Sequence, residues 1–407
     1  MTPSRQRSSP PSSSSPAQTG SKRATRTLSV TPPNRSRSNT PDRIESPEWF
    51  PAARPEPQLL LRDIGAATAR PSLLARLTRK SKKRTLACLS LLDEMSSDEA
   101  VQSTNDDASE CKRSAVRLGY WQDDYIQILV RNSEKKPPEI NRGYFARTEG
   151  VNLFIKKFLK VSGDKCQIIS FGAGFDTLYW RLREAQFKIE NFTEIDFPSV
   201  TARKCYTIKR SKVLLDGLGT DGEVRLSSTE LHGGNYHLVG ADLRNLNEVA
   251  TKLRESEVNF NLPTLFLSEC VLVYIESSSV SNLLSWIMSR FTSCMFINYE
   301  QVNMCDRFGE IMLENLRARG CPLSGVDACR SLDTQTNRFI STNWDGAKAW
   351  TMVDIYNAID PCERHRIEKI ELLDEQELLT QLFQHYCICV AWKGHVFSSI
   401  ALSDYDD

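Results

Sequence analysis

The residues with the clearest chemical potential are two closely spaced glycines, Gly172 and Gly174. They follow the apolar run 168–171 and precede the helix-compatible segment 177–182. A strand, a tight glycine turn and a helix in this order let a backbone approach a nucleotide-like ligand closely. Asp196 ends the next apolar segment, roughly 20 residues on, where a doubly wound sheet places an acceptor for ribose hydroxyls. The pattern predicts a ribose-containing ligand.

The glycine turn lacks the third glycine of the dinucleotide fingerprint, and Asp176 and Thr177 stand where that fingerprint would continue. The third glycine lets a helix pack tightly under a pyrophosphate. A ligand with adenosine but no pyrophosphate does not need it, and S-adenosylmethionine is such a ligand. A nicotinamide-dependent oxidoreductase that uses the same turn and Asp196 is the alternative, and the missing glycine disfavours it.

Two further strand ends carry acids, Asp242 and Glu269, in addition to Asp196. Ligands of open α/β sheets lie outside the carboxyl ends of the strands. A rim of three acids there suits a cationic ligand that bears ribose and an adenine amine. Each acid taken alone is better explained as a helix N-cap or a solvated loop end, so the functional interpretation depends on their convergence with the glycine turn.

The elements that must position these residues alternate between strand and helix patterns. This alternation predicts an α/β fold: a Rossmann-like, mostly parallel sheet with an antiparallel edge strand, helices on both faces and helical insertions. Residues 151–159 show one apolar helical face, and 198–233 form a helical or irregular insertion. The predicted strands are 166–171, a segment ending at Asp196, 236–242, 263–269, 294–300, 366–373 and 386–393; further helices are predicted to about 185, at 278–291 and at 375–384.

Composition excludes several function classes. The 407 residues hold 52 Lys+Arg against 51 Asp+Glu, so no global charge favours nucleic acid. No apolar run approaches the length of a membrane span. Twelve cysteines without a signal peptide favour reduced thiols in an intracellular protein. Cys387 and Cys389 share one strand face, which favours buried strand cysteines over a zinc site, and no metal site is predicted.

The amino-acid composition changes along the chain and divides it into segments. Residues 1–57 are rich in Ser, Pro and Arg, a composition that cannot bury enough surface to order itself. The prolines favour a cytosolic disordered tail over a transit peptide. A basic run at 79–84 is consistent with a nuclear address or a solvated linker, and 96–110 with a further linker. The predicted layout is a tail and linker over 1–100, one domain over 101–398 and an acidic tail over 399–407, in a cytoplasmic protein with a nuclear pool as the alternative.

Several blocks together resemble the leucine carboxyl methyltransferase family over residues 111–393. The blocks are 111–113, 119–121, 138–147, 172–174, 196–198, 240–244, 269–274 and 296–303. The resemblance implies a class I methyltransferase fold, S-adenosylmethionine as cofactor, and methylation of the C-terminal leucine of type 2A protein phosphatase catalytic subunits. A sister group acts on a modified guanosine in transfer RNA and carries a long β-propeller. This chain stops shortly after Lys393, which favours the protein-directed branch.

The resemblance also implies roles for individual residues. It places Gly174 in the glycine turn and Tyr274 near the reacting carboxylate, and it makes Arg147, Lys112 and Tyr274 the candidate catalytic set. The residues implied in cofactor binding are Lys112, Arg147, Gly172, Gly174, Asp196, Asp242, Leu243 and Glu269.

The expected partner is the phosphatase catalytic subunit, with no nucleic acid or membrane partner and a monomeric enzyme. Methyl transfer to a carboxylate needs no general base, because the nucleophile is already ionised at pH 7. A non-catalytic phosphatase-binding module is a further alternative, and the intact acids Asp196, Asp242 and Glu269 argue against it.

Overall fold

The computed structural model describes residues 97–131, 134–218 and 223–402. The predicted tail at 1–57 and the basic run at 79–84 therefore lie outside the described residues, and the domain boundaries at 100 and 398 stay predictions. The described chain begins with a helix, α1, at 97–117. The prediction of a linker at 96–110 was wrong here: the acidic side chains of this segment, which suggested solvent, pair with arginines of the sheet domain.

A nine-stranded sheet organises the domain, in the order β3-β4-β5-β2-β1-β6-β7-β9-β8. The strands β5, β2, β1, β6 and β7 run parallel, while β9 is antiparallel to both β7 and β8. The predicted mostly parallel sheet is confirmed. The strands are β1 Gln167–Phe171, β2 Asn191–Asp196, β3 Arg225–Leu226, β4 Leu231–Gly233, β5 Tyr236–Gly240, β6 Thr264–Glu269, β7 Cys294–Gln301, β8 Gly346–Thr351 and β9 Tyr386–Lys393.

Helices cover both faces of this sheet. On one face α7, α8 and α10 contribute to an apolar cluster that includes Ile169, Phe266 and Phe296, and on the other α3 packs with α11 and α13. The helices after α1 are α2 Ile126–Leu129, α3 Pro138–Ser162, α4 Leu178–Glu184, α5 Pro198–Arg210, α6 Lys212–Asp216, α7 Leu246–Glu255, α8 Ser277–Arg290, α9 Arg307–Ala318, α10 Leu332–Ile340, α11 Met352–Ala358, α12 Pro361–Glu368 and α13 Gln376–Gln384.

One strand near the C-terminus was predicted wrongly. The segment 366–373 is not a strand, because α12 runs to Glu368 and a turn follows. Pro361 stands in the first turn of α12 and Asp360 caps it by accepting a hydrogen bond from the Cys362 N–H, which is a strong helix-start signal. Ile367 then packs into a small apolar cluster with Ala115 and Phe145. The strand that pairs with β9 at the sheet edge is β8.

The insertion at 198–233 is helical in its first half, as predicted, through α5 and α6. Its second half forms the short strands β3 and β4, which sequence reasoning missed because they span only two and three residues. The buried strand position of Cys387 and Cys389 is confirmed. No helix within the described ranges is long and apolar enough to cross a membrane.

Candidate active site

The glycine turn after β1 has a backbone that only glycine adopts without strain. Gly172 has φ +58° and Gly174 has φ +50°, in the left-handed region. A Cβ atom on Gly172 would lie 2.4 Å from Val271 Cγ2, and one on Gly174 would lie 2.3 Å from Asn105 Oδ1. The turn is therefore held between the loop after β6 and helix α1, and both predicted glycines are sterically required.

Asp196 closes this turn from the neighbouring strand. Its carboxylate accepts hydrogen bonds from the N–H groups of Gly174 and Phe197, each at 2.7 Å. Burial raises the pKa of Asp196, and the two backbone donors offset that rise only in part. An ionised carboxylate can accept about four hydrogen bonds, so Asp196 keeps acceptor capacity for two ribose hydroxyls.

A buried ion pair supports the backbone directly after the glycine turn. The Lys204 ammonium donates to the Asp176 carbonyl at 2.8 Å and to the Glu194 carboxylate at 2.5 Å. Tyr236 donates to the same carboxylate at 2.8 Å. Lys204 and Glu194 are almost fully buried, and such a charge is tolerated only when it is paired and hydrogen-bonded. Sequence reasoning missed this support because it joins α5 to β2.

Five charged side chains, three cations and two acids, meet beside the turn. Arg147 Nε donates to Glu269 Oε2 at 2.5 Å, and Lys112 Nζ lies 3.7 Å from the same oxygen. Lys112 also pairs with Asp176, whose Oδ1 lies 3.6 Å from Arg181 Nη2. Three predicted site residues, Lys112, Arg147 and Glu269, are thus brought together.

The cations keep the acids of this group ionised. Burial alone would raise the pKa values of Asp176 and Glu269, but the neighbouring cations outweigh burial and lower both. Lys112 acts on both acids, Arg181 on Asp176 and Arg147 on Glu269. The group therefore stays charged at neutral pH, and a ligand carboxylate that enters must share these cations with Asp176 and Glu269.

The remaining predicted residues form no hydrogen bond or ion pair with this group in the described part of the chain. Asp242 follows β5 and is held by Arg244, whose guanidinium also binds Asp98 of α1 at 2.6 Å. Leu243 is buried in the main apolar cluster. Tyr274 belongs to a single turn of 3₁₀ helix, Leu272–Tyr274. Among the described residues it forms no ion pair or hydrogen bond with Lys112 or Arg147.

Helix α1 crosses the edge of the site. Asn105 Oδ1 accepts from the Phe175 N–H at 2.8 Å, and Asp106 pairs with Arg203 at 2.7 Å. The composition of α1 gave no signal for this role. Asp176 was also missed, although its position directly after the glycine turn could have marked it. No cluster of three or more His, Cys, Asp or Glu side chains in the described ranges is arranged to hold a metal.

The donor set fits an S-adenosylmethionine-type cofactor. The glycine turn lies at the carboxyl end of β1, where ligands of such sheets bind, Asp196 can accept from a ribose, and Lys112 and Arg147 can hold an amino-acid carboxylate.

Comparison with known proteins agrees with this chemistry. A family model described as leucine carboxyl methyltransferase matches residues 100–288. Leucine carboxyl methyltransferase 1 of Rattus norvegicus is 47% identical over 301 residues, which cover 73% of this chain and 91% of that protein. The human tRNA wybutosine-synthesizing protein 4 is 36% identical over 74% of this chain and 45% of its own length. An S-adenosylmethionine-dependent methyltransferase structure from Mesorhizobium loti has a TM-score of 0.35 at 14% identity and covers 61% of this chain and 100% of its own.

The mostly parallel sheet, the glycine turn, Asp196 and the family match together define an S-adenosylmethionine-dependent methyltransferase of class I fold. More closely, the chain belongs to the leucine carboxyl methyltransferase family and is a carboxyl methyltransferase.

Proposed function

We propose that this enzyme methylates the α-carboxylate of the C-terminal leucine of type 2A protein phosphatase catalytic subunits, and so regulates assembly of the phosphatase. The observation that carries the proposal is the pairing of Arg147 and Lys112 with Glu269 beside the glycine turn. Two cations at this point can orient a peptide carboxylate as well as the carboxylate of the cofactor. The 47% identity to leucine carboxyl methyltransferase 1 supports a leucine carboxyl group as the methyl acceptor.

The residues of the chain bind and orient rather than transfer protons. Asp196, the glycine turn and Asp242 hold the nucleoside end of the cofactor in this mechanism, and Glu269 contacts it from the neighbouring strand. When bound, the cofactor supplies a methyl group on a positively charged sulfur. Arg147 and Lys112 would orient the substrate carboxylate toward the cofactor site, which is catalysis by proximity and by exclusion of water.

Charge balance favours this arrangement. Arg147 is almost fully buried, and its Nε is committed to Glu269. Its Nη2 donates to the Glu269 carbonyl oxygen at 3.3 Å, and within the described residues its Nη1 takes part in no hydrogen bond. Nη1 and the second N–H of Nη2 can therefore bind a carboxylate. Without a cation between them, the two ligand carboxylates would repel each other across a poorly screened site.

The partner, the oligomeric state and the location belong to the same proposal. The enzyme acts as a monomer in the cytoplasm, with a nuclear pool as the alternative. Its partner is the phosphatase catalytic subunit, which presents its C-terminal tail and active-site face. Neither nucleic acid nor a membrane is needed for this reaction.

The proposal is tested by incubating the enzyme with methyl-labelled S-adenosylmethionine and a phosphatase catalytic subunit. We expect label on the intact subunit and none on a subunit that lacks its terminal leucine. Label on transfer RNA alone would favour the relationship to the wybutosine-synthesizing protein. Binding of the subunit without any label would favour a non-catalytic phosphatase-binding module.

A further inference from the structure

The Arg147 guanidinium lies over the rings of two tyrosines. Its guanidinium carbon is 4.7 Å from the centre of the Tyr299 ring and 5.5 Å from that of Tyr144. Both distances are within the 6 Å range of cation–π attraction, which strengthens when the pair is removed from water. Arg147 and Tyr299 are both buried, so these contacts belong to the stronger class.

The spacing of residues on helix α3 and the pairing of β6 with β7 bring these side chains together. On α3, Tyr144 and Arg147 are three residues apart and so share one helix face. In the sheet, β6 and β7 pair in parallel with Glu269 opposite Tyr299. The Tyr299 ring therefore lies next to the carboxylate that binds Arg147.

The Tyr299 ring is itself supported. It stacks on Tyr386 of β9 with ring centres 5.3 Å apart and an angle of 9° between the planes. Burial raises the pKa of the Tyr299 hydroxyl well above its usual value, so the ring stays neutral. In the described part of the chain this hydroxyl forms no hydrogen bond. The protein thus uses the face of the ring and not its polar end.

We propose that Tyr299 and Tyr144 are positioning residues that hold the plane of the Arg147 guanidinium so that its free edge meets the substrate carboxylate. This inference rests on the proposed function, because it gives Arg147 a carboxylate to bind. A planar guanidinium has one preferred arrangement over two rings, whereas a lysine ammonium has none. The rings therefore select arginine and set its angle.

The first test compares Tyr299→Phe with Tyr299→Leu. Phenylalanine keeps the ring, so we expect kcat/KM for the phosphatase subunit within about twofold of wild type. Leucine removes the ring, and we expect a loss of about 3- to 30-fold, mainly in KM for the subunit. Tyr356→Leu is the matched control, because Tyr356 also contacts an arginine, Arg364 at 5.8 Å, outside the site. Unfolding temperatures of all three variants identify any loss caused by misfolding.

A double-mutant cycle separates positioning from general stabilisation. In an Arg147→Lys background the two tyrosine rings have no guanidinium to orient. Tyr299→Leu should therefore lower kcat/KM by less than about twofold in that background. Equal costs of Tyr299→Leu in both backgrounds would overturn the inference, as would equal losses in the phenylalanine and leucine variants.

Crystal structures of the ligand-free variants provide a test that does not depend on activity. We expect Arg147 to keep its position in Tyr299→Phe and to change its guanidinium orientation in Tyr299→Leu. An unchanged Arg147 in Tyr299→Leu would refute the positioning role of the tyrosine rings even if the wild-type enzyme methylates the subunit. If the wild type does not methylate the subunit but Arg147 is reoriented in Tyr299→Leu, the proposed substrate is refuted and the positioning role of the tyrosine rings is supported.

Discussion

At the scale of single residues, the site carries balanced charge before any ligand binds. Three cations, Lys112, Arg147 and Arg181, face three acids, Asp123, Asp176 and Glu269, in a largely buried setting. A ligand carboxylate that enters therefore competes with the protein's own acids for hydrogen bonds from these cations. The identity of each cation should matter more than its charge, because the geometry of the shared bonds is specific.

Replacement of Arg147 tests this expectation. We expect Arg147→Ala nearly to abolish methylation, because it also leaves Glu269 with only the more distant Lys112. Arg147→Lys restores the charge without the two-pronged grip, so we expect only partial recovery. Circular dichroism would show whether both variants are folded. Near-normal turnover in folded Arg147→Ala would assign the carboxylate to Lys112 or to another residue.

Asp196 should control cofactor affinity. A hydrogen bond to a charged acceptor contributes about 1.5–3 kcal/mol, so Asp196→Ala should weaken cofactor binding about 10- to 150-fold with the fold intact. Calorimetric titration with S-adenosylmethionine measures this change. Unchanged affinity would exclude the ribose contact.

The raised pKa of Asp196 adds a dependence on pH. Burial favours the protonated form in the free enzyme, whereas ribose hydroxyls donate to the ionised form and lower the pKa on binding. Affinity should therefore fall as pH drops through the free-enzyme pKa of Asp196. Asp196→Asn, titrated over the same pH range, should lack this component. A wild-type and a variant profile of the same shape would contradict the account.

At the scale of elements, α1 contacts the site through polar side chains rather than through apolar ones. Asp98, Asn105 and Asp106 bind groups that follow β5, β1 and β2. A chain that begins at residue 97 should keep its turnover, whereas one that begins at 108 removes these contacts and should bind the cofactor more weakly. Calorimetry on both truncated chains tests this. Equal affinity of the two chains would show that α1 does not contribute.

The hairpin of β4 and β5 contains a second pH-sensitive element. His232 Nδ1 and His237 Nδ1 lie 2.9 Å apart across the hairpin. Burial, with His232 and Arg225, lowers the pKa of His237 to about 4. The unfolded state then binds a proton more readily below pH 6.5, so stability should fall as pH drops from about 6.5 to 4, by about 3 kcal/mol.

Urea unfolding at pH 7 and pH 4.5 measures this loss. His237→Gln removes the titrating group and should show a smaller decrease in stability than wild type. His365→Gln, at an exposed position, is the matched control and should behave as wild type. The same decrease in all three proteins would exclude a role for the histidine pair.

At the scale of the whole molecule, the sequence predicted the features that local pattern determines. Buried strands such as β1 and β6 read as apolar runs with polar ends, and the glycine turn with Asp196 marked the ligand edge. What it missed depends on contacts between distant segments. Lys204 resembles any helix lysine until α5 packs on β2, and Tyr299 becomes a neighbour of Glu269 only through the register of β6 and β7.

The polar face of α1 shows the same limit. Periodicity reports how a helix buries apolar surface, so a helix that docks through ion pairs resembles a linker. The strand predicted at 366–373 was wrong because the helix-start signal of Asp360 and Pro361 lies before that segment and was not part of the pattern used.

The most direct test of the central claim locates the transferred methyl group. Mass spectrometry of a phosphatase catalytic subunit treated with the enzyme and labelled S-adenosylmethionine should find one labelled methyl ester on the terminal leucine. The label should be released by mild base and should be nearly absent with Arg147→Ala. A labelled methyl group on any other residue of the subunit, or undiminished labelling by Arg147→Ala, would contradict a carboxyl methyltransferase that holds its substrate through Arg147.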